Sequence, residues 1–454
     1  MSLQSSRGTK DLLPQEAQAL VEMIQQASAL FILYGYQLLA TPHFENSEVF
    51  ARGIGEATDV VSKEMFNVLS LDATRRLQHG EPLRAEEKMA LRPEGTAGVA
   101  RAVVQHKLAL PGTASSKYWY VGSMYRHERP QKGRLREFHQ IGVECLGAAE
   151  PSADAELIVL LMQYFEVLGI PMDAMTLKIN SMGDDNCRPA WRAQVRRFIL
   201  EHANGLCTQC QQRADTNPLR AFDCKNPDCA RLLTQAPQIT DMLCDSCLEH
   251  YAAVKSLLTA AQLNFVEDPR LVRGLDYYTR TVFEVQVDAG LGAQNAIGGG
   301  GRYDKLLEMF GARPTPGLGF AVGLERIKLV LEALGALNVN LPSPQVFVAA
   351  VDNESRSSAF MLCVELRRRG LSAEMDHQHR SLRSQIKLAD RLGSPYCLIV
   401  GPEERAQGRF TLRSLTAHSE QALNLEEIVT VLNTRVSATS GNTAAKQPGG
   451  TSSP

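Results

Sequence analysis

The sequence predicts an α+β protein with a small α/β domain close to its C-terminus. Two strand-like segments within residues 118–147 flank a turn containing Pro and Gly, which predicts an antiparallel hairpin. Residues 183–260 have helical pattern and little strand pattern, so they predict a mostly helical insertion. From residue 345, strand-like and helical segments alternate, as they do in a small α/β domain. The length of 454 residues is enough for two or three domains.

The composition is that of an ordinary globular protein, with 44% hydrophobic and 22% charged residues. The net charge of -2 gives no overall nucleic-acid signature, so any RNA contact would come from local basic faces. The sequence contains no long uninterrupted apolar run and no apolar core of a signal peptide. We therefore expect a cytoplasmic protein whose ten cysteines are reduced thiols or metal ligands.

Periodicity predicts the individual elements. A short strand follows the first helix and ends at Pro42, and the polar residues 70–90 predict an irregular surface insertion. Thr281–Val287 alternates between apolar and polar residues and predicts a strand. The predicted helices cover residues 14–34, 94–107, 150–170, 355–369 and 381–392.

The predicted hairpin is dense in cations. Cations side by side repel each other unless a polyanion lies between them, and the guanidinium group suits bidentate phosphate binding. The alternative is a salt-bridged edge hairpin, in which nearby acids such as Glu128, Glu137 and Glu144 pair with the arginines. The hairpin arginines are Arg126, Arg129, Arg134 and Arg136.

Four other segments are candidates for chemistry, and each has a structural alternative. In LRPEGT, Glu94 and Thr96 could bind an ammonium group or could cap a helix. VRGLDYYTRT contains adjacent tyrosines and an arginine, Arg273, that alone could be a surface charge. The glycines of IGGGGRYD allow close backbone approach to a ligand or form a tight bulged turn. In GFAVGLERI, Arg326 could reach a phosphate or form a solvated ion pair.

Together these segments resemble the histidyl-tRNA synthetase family of class II aminoacyl-tRNA synthetases. The resemblance runs from Arg7 to about residue 435 and includes the class II signatures around Pro42, at Arg126–Glu128 and at GFAVGLERI. It implies a catalytic core built on an antiparallel sheet flanked by helices, with a helical insertion and a C-terminal α/β anticodon-binding domain. The implied division is 1–182 and 261–332 for the core, 183–260 for the insertion, 333–344 for a linker, 345–435 for the anticodon-binding domain and 436–454 for a disordered tail.

The resemblance also implies an activity. Histidine and ATP, with Mg²⁺, would form histidyl-adenylate, and the histidyl group would pass to the 3′ end of tRNA(His). Arg126 and Arg273 would act on the reacting phosphate from opposite sides. The implied ATP-binding residues are Arg126, Glu128, Arg134, Phe138 and Arg326. The implied histidine-binding residues are Glu94, Gly95, Thr96, Gln140, Glu144, Tyr277 and Tyr278, of which Glu144 and Tyr278 would recognise the imidazole.

The implied partners are tRNA(His) and a second copy of the chain, with no membrane. The loop Arg129–Gly133 would approach the acceptor end of the tRNA, and the basic segment HQHRSLRSQIKLADRLG would supply a local cationic face. One departure from the family pattern is Ser123, where a proline is common. The alternatives are a non-catalytic histidine-binding regulatory paralogue and a zinc-containing RNA-binding module.

The cysteines of the insertion raise a separate question. Two C-x2-C pairs in a reduced compartment are typical of a tetrahedral zinc site, here with Cys207, Cys210, Cys244 and Cys247 as ligands. Cys224 and Cys229 are alternative ligands. The structural alternative is a set of small buried residues without metal.

Overall fold

The structure is a computed structural model that describes residues 3–56, 58–108, 115–272, 277–292, 295–339 and 341–440. Backbone contacts divide the chain into two units, Met1–Val339 and Asn340–Pro454. Within the described residues, no helix combines the length and the apolar character that crossing a membrane requires.

The first unit mixes helices and strands along its whole length. Several of its helices begin with proline in the first turn, where the missing N–H has no helical partner to lose. Its helices are α1 (Pro14–Leu33), α2 (Ser47–Ile54), α3 (Leu71–Gln78), α4 (Thr96–Gln105), α5 (Pro151–Val167), α6 (Arg188–Glu201), α7 (Thr208–Thr216), α8 (Pro227–Leu232), α9 (Asp245–Ala260), α10 (Leu306–Met309) and α11 (Leu324–Ala333). Its strands are β1 (Gln37–Leu38), β2 (Phe44–Asn46), β3 (Asn67–Val68), β4 (Met89–Leu91), β5 (Ser116–Tyr125), β6 (Glu137–Leu146), β7 (Met175–Ser181), β8 (Val266–Glu267), β9 (Thr279–Val287), β10 (Ala296–Arg302) and β11 (Gly317–Gly323).

A large sheet forms the centre of this unit. Among the described residues its strand order is β1-β5-β6-β11-β10-β9-β7-β8. All pairs from β5 to β7 are antiparallel, and only the two edge pairs, β1 with β5 and β7 with β8, are parallel. This confirms the predicted antiparallel core and the hairpin, whose arms are β5 and β6.

The two faces of the sheet contact different helices. One face packs against α1, α5, α9 and α11 around residues such as Phe31 and Phe165. The other face packs against α4 and the helices α6 and α7 of the insertion, around residues such as Trp191. Because side chains alternate along a strand, Ile141 and Val143 of β6 join the first core. Their neighbours Gln140 and Glu144 therefore point to the second face.

Two predicted segments differ from the structure. Residues 70–90 are not irregular, because Ser70 caps α3 by accepting the N–H of Ala73 and the segment then reaches β4. Together, β2, β4 and β3 form a small antiparallel sheet. The glycine cluster lies in strand β10 and is not a tight turn. A side chain at Gly301 would come within 2.5 Å of the Thr281 carbonyl oxygen, so the neighbouring strands leave no room for one.

The second unit is a smaller mixed sheet with helices. Its strands β12 (Val346–Ala350), β13 (Ala373–Met375) and β14 (Tyr396–Val400) are parallel, and β15 (Phe410–Ser414) and β16 (Glu420–Leu423) extend the sheet antiparallel. This confirms the predicted α/β alternation. Its helices are α12 (Ser355–Arg368), α13 (Leu382–Arg391), α14 (Pro402–Gln407) and α15 (Leu425–Ser440). The last helix continues beyond residue 436, where the disordered tail is predicted to begin, and residues 441–454 lie outside the described part of the chain.

Candidate active site

A cleft of about 660 Å³ opens on the second face of the large sheet. This volume suits a ligand of moderate size. The hairpin β5–β6, the start of α4, the strands β10 and β11 and the insertion all contribute to its walls. Of the residues predicted for the site, the cleft is lined by Glu94, Thr96, Arg126, Glu128, Arg134, Phe138, Gln140, Tyr277, Tyr278 and Arg326.

Two of the described residues that were predicted for the site, Gly95 and Glu144, are not among those that line this cleft, and a third predicted residue is not described. Gly95 lies beside it, and its amide donates a hydrogen bond of 3.2 Å to Oε1 of Gln140. Glu144 is buried below it, with 1% of its surface exposed. Arg273 lies outside the described residues, as do 274–276 of the VRGLDYYTRT segment.

Glu94 both caps helix α4 and lines the cleft, so both interpretations of LRPEGT apply to it. Its carboxylate accepts the backbone N–H groups of Thr96 and Ala97, both at 2.8 Å, and so satisfies donors at the start of α4. The same carboxylate is buried and lines the cleft. Burial raises its pKa, while the two backbone N–H groups lower it. Helix capping thus holds a carboxylate in a fixed orientation at the cleft.

Glu144 lies buried below the cleft and is hydrogen-bonded to two hydroxyl groups. Its Oε1 accepts the Thr96 hydroxyl at 2.6 Å, and its Oε2 accepts the Tyr303 hydroxyl. Burial raises the pKa of the Glu144 carboxyl to about 8, although both hydrogen bonds act in the opposite direction. Near neutral pH this carboxyl can therefore hold or release a proton, which suits it to pairing with a titratable ligand.

The space for Glu144 exists because its neighbour on β11 is a glycine. Glu144 is paired with Gly319, where a side chain would overlap Oε2 of Glu144 and come within 2.5 Å of the Val143 carbonyl oxygen. Gln140 likewise lies between Gly122 of β5 and Gly323 of β11. A side chain at Gly122 would meet Nη2 of Arg92, and one at Gly323 would approach Arg326, so of these three glycines it is Gly319 that makes room for a polar side chain of β6.

The first arm of the hairpin fixes an arginine at the cleft. Arg126 donates from Nε to the Pro93 carbonyl oxygen at 2.9 Å, and its guanidinium lies 5.3 Å from the centre of the Phe138 ring. Its Nη1 is 3.9 Å from Glu128, whose other oxygen pairs with Nη1 of Arg134 at 3.0 Å. The arginines are therefore partly neutralised by one carboxylate, as the salt-bridged alternative predicts, but both also line the cleft.

A second group of cations lies near Arg134. Arg326 donates from Nε to the Ala296 carbonyl oxygen at 2.8 Å, and burial together with the charge of Arg134 lowers its pKa. Lys225 of the insertion lines the same cleft, and burial with the charge of Arg134 lowers its pKa too. Like charges held this close favour binding of a polyanion.

Sequence reasoning missed several residues of the cleft. Tyr303 stands in the IGGGGRYD segment, so a signal was present, but its contact with Glu144 depends on strand pairing. Lys225, Arg213 and Arg220 come from the insertion, and no motif marks them. Glu284 lies on β9 within an ordinary alternating pattern and also lines the cleft.

The family comparison accounts for this combination of residues. Residues 8–327 match the family model described as histidyl-tRNA synthetase, and residues 345–435 match that of an anticodon-binding domain. The chain belongs to the histidyl-tRNA synthetase family. Histidine–tRNA ligase of Anaeromyxobacter sp. (strain K) is 42% identical over 430 residues, covering 94% of this chain and 99% of that protein. Histidine–tRNA ligase of Streptomyces coelicolor is 41% identical and covers 96% of this chain and 98% of that protein.

A solved structure supports the same assignment. The apo histidyl-tRNA synthetase of S. aureus has a TM-score of 0.77 with this chain at 30% identity, covering 95% of this chain and all of that one. Membership of the histidyl-tRNA synthetase family therefore rests on sequence and fold together, over nearly the whole chain.

In the insertion of this histidyl-tRNA synthetase family member, the cysteines are grouped differently from the predicted zinc site, so the predicted set of four ligands is wrong. The two C-x2-C pairs do not come together, because each one begins a different helix, α7 or α9. Cys207 and Cys210 cluster with Cys224 and Cys229. The other cluster consists of Asp184, Cys187, Cys244 and Cys247.

Proposed function

We propose that the protein is a histidine–tRNA ligase that activates histidine with ATP and transfers it to tRNA(His). The observation that carries this proposal is a single cleft with two chemically different ends. One end contains the cations Arg134, Arg326 and Lys225. The other end is lined by Thr96 and Tyr303, whose hydroxyl groups donate to the buried carboxyl of Glu144 below them and whose polar character suits a small amino acid.

The proposed reaction requires that histidine and ATP, bound at the two ends of the cleft, meet at the α-phosphorus of ATP. A carboxylate oxygen of histidine attacks the α-phosphorus of ATP, the bond to the β-phosphate oxygen breaks, and pyrophosphate leaves. A hydroxyl of the terminal tRNA ribose then attacks the histidyl carbonyl carbon, and AMP leaves. Arg126 lines the same cleft and is held there by its hydrogen bond to the Pro93 carbonyl oxygen. We assign to it the α-phosphate and the substrate carboxylate, where charge develops.

The remaining ATP contacts follow from the same arrangement. Arg134 and Arg326 would bind the β- and γ-phosphates, with geometry suited to bidentate contacts. Phe138 would stack on the adenine, and Glu128 would accept hydrogen bonds from it. As the family resemblance implies, Arg273 would act from the side opposite Arg126, as a second cation at the reacting phosphate.

The histidine contacts use the carboxylates of the cleft. Glu94 and Gln140, with Thr96, would surround the α-amino group, because Glu94 offers a fixed carboxylate there. Glu144 and Tyr278 would pair with the two imidazole nitrogens. An analogue without these nitrogens would leave buried polar groups unpaired, which a site of this kind rejects strongly.

Carboxylates at the phosphate end fit a magnesium ion. Glu64 and Glu284 both line the cleft, and burial together with the charge of Glu128 raises the pKa of the Glu64 carboxyl. Two such oxygen donors, with phosphate oxygens, are ligands that Mg²⁺ prefers. Mg²⁺ would neutralise part of the triphosphate charge, and Glu64 and Glu284 are the residues that would hold it.

Histidine-dependent exchange of pyrophosphate into ATP tests the activation step. The purified chain should catalyse this exchange, and Arg134→Ala should raise the KM for ATP. Arg129 is exposed on the same hairpin and is not among the cleft residues. Arg129→Ala is therefore the matched control and should exchange normally while charging tRNA more slowly. A chain without exchange would be the regulatory paralogue instead.

The role of Arg273 has its own test. Arg273→Ala should abolish adenylate formation because a cation opposite Arg126 is lost at the reacting phosphate, while circular dichroism and thermal unfolding stay unchanged. Near-normal exchange by this variant would remove Arg273 from the mechanism.

The proposed partners are tRNA(His) and a second copy of the chain. Residues 345–435 would bind the anticodon, with the basic segment around α13 as the cationic face.

A homodimer would cover the apolar side chains that the class II signature region exposes, among them Leu38 and Phe44, which are 60% and 53% exposed. Light scattering should give twice the chain mass, and Phe44→Glu should shift the equilibrium to monomer. The domain boundaries and the cytoplasmic location given above remain predictions.

A further inference from the structure

We propose that Cys207, Cys210, Cys224 and Cys229 bind one structural zinc ion. Their four sulfur atoms all lie within 4.8 Å of one another, and Sγ of Cys207 is 3.8 Å from Sγ of Cys224. A tetrahedral zinc ion with Zn–S bonds of about 2.3 Å places its sulfur ligands about 3.8 Å apart. The cluster therefore already has nearly the size that the metal requires.

The local backbone also suits thiolate ligands. Cys207 is the N-cap of α7, and the backbone N–H of Cys210 donates to its sulfur. The backbone N–H of Cys207 in turn donates to Sγ of Cys229 at 3.1 Å. Helix N-termini and N–H donors stabilise negative charge on sulfur, which is the form that binds zinc. Cys210 and Cys229 are buried, whereas Cys207 and Cys224 are half-buried.

A metal would join pieces of chain that regular structure does not join. The ligands come from the start of α7, from the turn after the short helix Pro218–Asp223, and from α8, which has six residues. Thiols without metal could fill the same space, but packing alone does not need four sulfur atoms that face each other. Structural zinc commonly supplies the stability of such short elements.

Metal content separates the two possibilities. Protein purified under reducing conditions without added metal should contain zinc, and Cys207→Ser should lose one equivalent per chain. Serine is a good N-cap, so this variant keeps the start of α7 while removing a ligand. Cys363→Ala, at a buried thiol of the second unit outside both clusters, is the control and should lose none.

Two further results would overturn the proposal. One is equal zinc content in the wild type and Cys207→Ser after both have been reduced and titrated with Zn²⁺ against a chelating dye. The other is Co²⁺-loaded wild type without the charge-transfer absorption of thiolate ligands. If Cys207→Ser fails to fold, Cys224→His keeps a zinc ligand and should retain the metal.

The zinc site would also position a cation at the active cleft, a consequence that rests on the proposed function. Lys225 follows the ligand Cys224 directly and lines the cleft near Arg134. Cys207→Ser and Lys225→Ala should therefore both raise the KM for ATP severalfold with a smaller effect on the KM for histidine. Unchanged KM values with lost zinc would overturn this consequence, whereas absence of exchange in the wild type would overturn the proposed function.

The second cluster carries an independent proposal of the same kind. We infer that Asp184, Cys187, Cys244 and Cys247 bind a second zinc ion. Oδ1 of Asp184 is 3.6 Å from the sulfur atoms of both Cys187 and Cys244, and all four ligand atoms lie within 4.8 Å. Cys244 and Cys187 are the N-caps of α9 and α6, as Cys207 is the N-cap of α7 in the first cluster. An aspartate with three cysteines is an acceptable zinc set.

The alternative at this cluster is an ion pair without metal. Arg280 approaches the other carboxylate oxygen of Asp184, with Nη2 at 3.8 Å, and could neutralise it. Cys244→Ser keeps the N-cap of α9 and should lose a zinc equivalent separate from the one lost by Cys207→Ser, so the double variant should lose both. A zinc content that Cys244→Ser leaves unchanged would support the ion pair and overturn the second site.

Discussion

The raised pKa of Glu144 leads to a quantitative prediction about Glu144→Gln. Between the ordinary pKa of 4.5 and the folded value of about 8, the carboxyl is ionised in the unfolded chain and protonated in the folded protein. Folding then takes up a proton, so this group's contribution to stability is complete below pH 4.5 and is lost as the pH rises toward 8. The loss amounts to about 1.4 kcal/mol per pH unit inside that window.

Glutamine matches the protonated acid in shape and in hydrogen bonding. The hydroxyls of Thr96 and Tyr303, which now donate to the two carboxylate oxygens, can each donate or accept. Glu144→Gln therefore keeps the contacts and removes the titration. Relative to the wild type, it should gain about 3 kcal/mol in free energy of unfolding between pH 5.5 and 7.5.

Denaturant unfolding without ligands, followed by tryptophan fluorescence, measures this difference. The chain has two tryptophans, and both Trp119 and Trp191 are buried in the first unit. Their fluorescence therefore reports the unit that contains Glu144. Groups that titrate elsewhere affect both proteins equally and cancel in the difference, and Glu249→Gln, on an exposed part of α9, is the matched control. Parallel stability curves for wild type and Glu144→Gln over this pH range would refute the reasoning.

Two other substitutions test the packing around the cleft. Gly319→Ala should destabilise the first unit by about 2–3 kcal/mol and abolish histidine binding, because the new carbon would overlap the Glu144 carboxylate. Gly323→Ala, whose nearest neighbouring atom would be 3.6 Å away, should be tolerated, and equal melting temperatures for the two variants would contradict this account. Asp154→Asn should cost about 3 kcal/mol in unfolding experiments, because Arg302, which is 1% exposed, then loses the charge of the nearer of the two carboxylates that pair with it among the described residues. A loss below about 1 kcal/mol would mean that Asp304, at 3.1 Å, is sufficient to neutralise the arginine.

Features of the fold that depend on local sequence pattern could be predicted from the sequence. The hairpin follows from alternating residues around a Pro/Gly turn, and the positions of α5, α12 and α13 follow from helical spacing. Residues of the cleft could be named because the motifs that contain them resemble those of the family, as with Glu94 in LRPEGT and Arg126 in the hairpin. Their functional roles remain proposals.

Features that depend on pairing between distant segments could not be predicted. Tyr303 reaches Glu144 only because β10 and β6 both pair with β11. The glycines of β10 have the composition of a turn, and only the close approach of its neighbours explains them as a strand. The cysteine pairs were combined wrongly because spacing within a pair is local, whereas the choice of partner depends on where α7 and α9 begin.

The position of β6 within the sheet has a consequence for the kinetics of recognition. This strand is hydrogen-bonded on both sides, to β5 and β11, over Gln140 and Glu144. We therefore expect its amides to exchange with solvent only through large-scale opening of the sheet. Residues that would select histidine are then rigid before the ligand arrives, so binding costs little ordering entropy at this strand. Any slow closing step on ligand binding would then have to involve segments other than β6.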